Sequence, residues 1–136
     1  MSGGERKDTA ASGVECIVPI LRVTSLPASL RYYVQVLGFQ VDWGDQDGSD
    51  MASVSRDGHA IMLCQGAQGQ RGTWIWIGVE DIDLLYAEYR GKGAQFLQAP
   101  VSRPWAYEMQ LVDPDGHVLR FGSEPRATPS SGLGGP

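Results

Sequence analysis

The residues of this chain best suited to chemistry are four tryptophans, several carboxylates and Arg120. Trp43 ends an alternating stretch and leads into Gly44-Asp45-Gln46-Asp47. An indole beside carboxylates suits a flat ligand with a cationic tail, by stacking and by cation attraction. Of the acids there, Asp45 is expected to face a ligand, while Asp47 and Asp50 read as solvated loop acids. Trp105 lies between Pro104 and Ala106, where a loop gives an indole little packing reason to exist. Tyr107 and Glu108 follow it, and Glu108 is placed to neutralise a ligand amine. Trp74 and Trp76 alternate with Ile75 and Ile77. Arg120 needs a carboxylate partner, from the protein or from a ligand, because an unpaired buried cation is costly. That requirement weighs against a purely cationic ligand. The two histidines, His59 and His117, each close an Asp-Gly-His turn and read as solvated turn residues. Cys16 and Cys64 sit in apolar runs, where a thiol packs as a small hydrophobe. No CxxC spacing suggests a zinc or redox site.

The elements that must position these groups follow from periodicity. Cys16 to Val23 reads as a strand. Ser25 is a candidate N-cap, and Leu26, Leu30, Tyr33, Val34 and Leu37 fall at helical spacing up to Gly38. Strands over Phe39 to Trp43, Met51 to Ser55 and Ala60 to Cys64 follow, the last two joined by an Arg56-Asp57-Gly58-His59 turn. The pattern then restarts. A strand over Thr73 to Val79 precedes a helix capped by Asp81, which Gly91 and Gly93 end. A short strand over Gln95 to Gln98 comes next, and a hairpin of Tyr107 to Val112 with Val118 to Gly122 closes the unit.

The two halves superpose in pattern, which implies two stacked modules with pseudo-twofold symmetry. The expected organisation is a tail over residues 1–13, a first βαβββ module over 14–66, a linker over 67–72, a second module over 73–124 and a tail over 125–136. Strand side chains alternate between faces. Ile75, Ile77, Leu119 and Phe121 should pack under a helix, and Trp74, Trp76, Met62 and Arg120 should line the other face. So apolar a face should enclose a cavity or meet a partner, or else form a sheet-on-sheet core.

The repeated β-α-β-β-β order, the segment VPILRVTSLPASLRYYVQVLGF and the hairpin MQLVDPDGHVLRF resemble the vicinal oxygen chelate superfamily of glyoxalases, bleomycin-resistance proteins and ring-cleaving dioxygenases. The likeness covers about Glu15 to Glu124. It implies an α+β fold of two tandem βαβββ modules, whose curved, mainly antiparallel sheets surround a cleft completed in a homodimer. Metal enzymes of the superfamily hold their ion at four strand positions, which fall here on Val18, Met62, Trp74 and Arg120. Hard divalent ions want carboxylate or imidazole, so these residues imply no metal and no other cofactor. The resemblance is then to the metal-free bleomycin-resistance branch, as VPIL, LPAS, LGFQVDWGDQD and WAYEMQLVDPDGH also suggest. It implies a dimer that sequesters an aromatic antibiotic without chemistry, a first strand exchanged near Pro19, and stacking at Trp105. The site residues expected on these grounds are Trp43, Asp45, Met62, Trp74, Trp76, Trp105, Tyr107, Glu108 and Arg120. Two other readings are a metal-dependent enzyme whose ligands lie elsewhere and a non-catalytic protein-interaction module.

Bulk properties set outer limits. A chain of 136 residues with 42% hydrophobic and 20% charged residues forms an ordinary core. Its net charge of -5 argues against nucleic acid as the main partner, because phosphate binding needs a basic face. No apolar run is long enough for a signal peptide or a membrane span, which makes the cytoplasm the expected compartment.

Overall fold

The computed structural model describes residues 12–126. The expected terminal tails, 1–13 and 125–136, lie almost wholly outside that range. The first unit runs through β1 (Ile20–Arg22), α1 (Leu26–Arg31), β2 (Gln40–Trp43), β3 (Met51–Arg56) and β4 (His59–Cys64). The second runs through β5 (Trp74–Gly78), α2 (Ile82–Gly91), β6 (Gln95–Ser102), β7 (Tyr107–Val112) and β8 (Val118–Ser123). Each unit forms one four-stranded sheet, in the orders β1-β4-β3-β2 and β5-β8-β7-β6. In both, the first strand pairs parallel to the last, and the other pairings are antiparallel. The tandem βαβββ, α+β architecture is therefore present. Among the described residues no helix is long and apolar enough to cross a membrane.

Local chemistry explains the helix ends. The Ser25 hydroxyl accepts from Ala28 N–H at 3.2 Å, and Pro27 stands in the first turn, where a missing donor costs nothing. The Asp81 carboxylate likewise accepts from Leu84 N–H at 3.0 Å. After Arg31 the first helix widens into a π-helical turn over Tyr32–Val36, and Gly38 stops it at φ 77°.

Three elements differ from expectation. The strand expected over Cys16 to Val23 is reduced to Ile20–Arg22, and Cys16 is exposed while Cys64 is buried. The strand expected over Gln95 to Gln98 runs on to Ser102. It contains Pro100 and two register irregularities, which an edge strand tolerates because its outer N–H groups need no partner. The β3–β4 turn takes positive φ at both Asp57 (52°) and Gly58 (81°), and such a turn matches the twist of the flanking strands.

Both helices and the helix-facing side of each sheet share one core. Leu21, Tyr33, Leu37, Val54 and Leu63 enter it from the first unit, and Tyr89, Met109, Leu111, Leu119 and Phe121 from the second. Polar ties cross between the units. The Tyr33 hydroxyl donates to Asp113 Oδ2 at 2.7 Å, and the Tyr89 hydroxyl donates to the Leu37 carbonyl at 2.9 Å. The Arg56 guanidinium reaches both Glu88 oxygens, at 2.9 and 3.1 Å, and the Leu37 carbonyl at 2.8 Å.

Candidate functional site

The four tryptophans lie on the molecular surface, Trp43, Trp74 and Trp76 on strands and Trp105 on the loop between β6 and β7. Trp43, Trp74, Trp76 and Trp105 are 45%, 59%, 52% and 61% exposed, so none is spent on a sheet-on-sheet core within this chain. Exposed indoles in such number are apolar surface that a ligand or partner would cover.

Register builds the second sheet's open face. Trp76 on β5 stands opposite Arg120 on β8, which stands opposite Gln110 on β7, which stands opposite Gln98 on β6. Glu108 stands opposite Gly122 in the next row. A Cβ on Gly122 would lie 2.5 Å from the Trp76 ring. The outer edge of the indole therefore lies over bare backbone, and about half of the residue stays exposed as surface that a flat ring could cover.

Arg120 finds its carboxylate within the protein. Its Nε and Nη2 donate to Glu108 Oε1 and Oε2 at 2.6 and 3.2 Å, and Trp105 Nε1 donates to Oε2 as well. Glu108 is buried, and the Arg120 hydrogen bonds hold its carboxyl below the ordinary 4.5, against the upward push of desolvation. The carboxylate in turn raises the Arg120 guanidinium. Glu108, expected to meet a ligand amine, already has its charge and both its oxygens engaged. Trp105, Glu108, Gln110, Gln98, Arg103 and Arg120 line a hollow of about 320 Å³. Trp105 also borders, with Trp76, Leu84, Tyr89, His59 and Ala60, a larger cleft of about 1390 Å³.

The other expected site residues fall elsewhere. Tyr107 points to the helix-facing side of its sheet, beside the core. Its hydroxyl donates to Asp83 Oδ1 at 2.7 Å, the Arg126 guanidinium lies 3.8 Å above its ring, and burial pushes its pKa up. Trp43 and Met62 belong to the first sheet, where Ile20, Met62, Ser53 and Trp43 make the row equivalent to that of Trp76 and Arg120. Asp45 is exposed on the loop after Trp43. Trp74 projects from the edge strand β5. None of these five residues lines the two hollows just described.

Three features were not foreseen. A bulge after Val41 sets both Asp42 and Trp43 on the open face of the first sheet, where Asp42 accepts from Ser53 and Ser55 at 3.0 and 2.7 Å. Alternation from the core-facing Val41 would turn Trp43 inward, and the bulge that brings it to the open face has no clear mark in the sequence. Gln98, Arg103 and Gln110 carry no aromatic signal, though the parity that places Glu108 also places Gln110. His117 is the third. Its place in an Asp-Gly-His turn suggests a solvated side chain, yet it is fully buried. Its Nδ1 accepts from Thr73 N–H at 3.0 Å, and its Nε2–H donates to the Arg22 carbonyl at 2.6 Å. The ring is the neutral tautomer with its proton on Nε2, and it ties β1 of one unit to the start of β5 in the other.

The donor set does not fit a divalent metal. Val18 and Trp74 have no suitable donor, Met62 offers only a soft thioether, and Arg120 puts a guanidinium where an ion would need an anion. Among the described residues no cluster of three His, Cys, Asp or Glu side chains is suited to an ion.

The family model described as Glyoxalase/Bleomycin resistance protein/Dioxygenase superfamily matches residues 14–121. The chain is similar to the bleomycin-binding protein of bleomycin-producing Streptomyces verticillus, solved with copper(II)-bleomycin. Identity is 26% and the TM-score 0.68, over 82% of this chain and 97% of that one. It shares its fold with TnmS3, an antibiotic-binding protein from Streptomyces sp. CB03234 (19% identity, TM-score 0.72, 83% and 98% covered). TioX from Micromonospora sp. ML1 has it too (20% identity, TM-score 0.71, 82% and 99% covered). Among curated protein sequences none matches this chain.

Proposed function

Because the chain belongs to the glyoxalase/bleomycin resistance protein/dioxygenase superfamily, we propose that it is a binding protein that sequesters a flat aromatic antibiotic, with no metal and no chemistry of its own. The observation that carries this reading is the exposed Trp76 platform, with Trp105 bordering the same cleft. A receptor for a planar ring needs rigid indole surface at low entropic cost, and this face supplies it. The likeness to a bleomycin-binding protein over nearly the whole of both chains supports the same conclusion. Stoichiometric capture of a drug in the cytoplasm would confer resistance without turnover. The working unit is a homodimer, in which the open face of one sheet meets a second copy.

Titration of tryptophan fluorescence with bleomycin, mitomycin and related planar drugs tests this directly. Saturable quenching at one ligand per site is expected, and a flat response across the panel would sink the reading. Trp105→Ala should weaken binding by roughly 1–3 kcal/mol where the ring stacks in a buried site. One tightly held metal ion per chain, found by elemental analysis, would point instead to an enzyme.

A further inference from the structure

Around the small hollow the charged groups with hydrogen-bonding capacity to spare are donors, while the Gln110 amide can present either end. Both oxygens of Glu108 are taken by Arg120 and Trp105. Arg120 spends Nε and Nη2 on that carboxylate, and among the described residues nothing accepts from its Nη1. Arg103 Nη2 donates to Gln98 Oε1 at 3.5 Å, which turns the Gln98 amide nitrogen, itself a donor, the other way. The charges here are Arg103 and Arg120 against Glu108, a local excess of one positive charge. Resting on the reading proposed above, we infer that this wall takes the acceptor-bearing edge of the ligand, a carboxylate, enolate or quinone-type oxygen held by Arg120 beside the Trp76 and Trp105 rings.

This reverses the expectation that Glu108 would receive an amine. A ligand cation at Glu108 would compete with a guanidinium that already bonds it in bidentate fashion, the strongest common geometry for that pair. The whole chain carries -5, but surface charges more than about 8 Å away are largely screened at physiological salt. The local excess therefore decides the sign that the ligand edge must carry.

Two probes that share a ring system separate this inference from the function it rests on. The intact protein is titrated, by tryptophan quenching, with anthracene-2-carboxylate and with 2-(aminomethyl)anthracene. The carboxylate should bind about tenfold more tightly or better, the ordinary worth of one hydrogen bond to a charged group. Arg120→Gln should erase the difference. Where that variant does not fold, because it strands the buried Glu108 charge, the triple variant Arg103→Gln/Glu108→Gln/Arg120→Gln removes every charge of the hollow and should give the same loss. Equal affinities, a preference for the amine, or a preference that survives loss of Arg120 would overturn the inference while leaving aromatic capture in place. Quenching by neither probe nor by any drug of the panel would overturn both.

Discussion

Gly122 has no side chain, and the Trp76 ring occupies the space where one would begin. The contact is with the far end of an indole that is 52% exposed, so the ring can swing away from a new methyl group. Gly122→Ala should therefore cost stability little, under about 1 kcal/mol, while lifting the ring off the sheet. A shifted tryptophan emission and weaker ligand binding at a near-unchanged melting temperature are expected. A large loss of stability with intact binding would show that the ring is held for packing alone. His117 is the opposite case. Its imidazole is enclosed, so His117→Ala would orphan the Thr73 N–H and the Arg22 carbonyl and leave a void. About 3 kcal/mol should be lost in urea unfolding, and a loss below about 1 kcal/mol would mean that water replaces the ring.

At the scale of elements, the β7–β8 ladder sets the geometry of the Glu108–Arg120 pair and gives acid stability a defined sign. The Glu108 carboxyl is held below its ordinary 4.5, chiefly by hydrogen bonds from Arg120. A depressed folded-state pKa contributes stability that is full above the unfolded value and is lost as pH falls through the folded one. The urea midpoint should thus drop between pH 5 and more acid conditions, and Glu108→Gln should flatten part of that limb. An unaltered acid limb in the variant would place the titration elsewhere. The same ladder shows what could be read before any coordinates. Alternation in Trp74 to Gly78 correctly separated the helix-facing Ile75 and Ile77 from the outward tryptophans, because one face is buried and period two leaves no slack. The capping roles of Ser25 and Asp81 were legible for a similar reason, since a short polar side chain before an apolar helix has few other uses. Reading failed where tertiary context decides. The bulge at Asp42, the Pro100-bearing extension of β6 and the inward turn of His117 depend on neighbours distant in the chain. Partners were the other blind spot. That Arg120 needed a carboxylate followed from its type, but that Glu108 would supply it required the register.

For the whole molecule, the pseudo-twofold repeat makes one core from two units and leaves each sheet with open edges. The linker partly covers the edge of β1, since Gly69 lies against the Ile20 carbonyl and Arg22 N–H, and Arg22 Nη2 donates to the Ala67 carbonyl at 2.9 Å. The segment just before β1 is uncovered, with Val14 and Ile17 82% and 87% exposed. Cys16 to Val23 reads as strand, yet its backbone pairs inside the chain only from Pro19 to Val23, so Cys16 to Val18 lack a ladder and not the propensity for one. A second copy would supply what is missing, with this segment laid along the partner. Ile17→Asp tests that at the scale where it matters. In a single chain the side chain touches water, so the substitution should leave the monomer's circular dichroism unchanged and its stability within about 0.5 kcal/mol. Light scattering should report the mass of two chains for the unaltered protein. The variant should shift toward the mass of one and lose affinity for aromatic ligands in parallel, because the cleft loses its second wall. A stable monomer before substitution, or a dimer indifferent to it, would put the interface on another face.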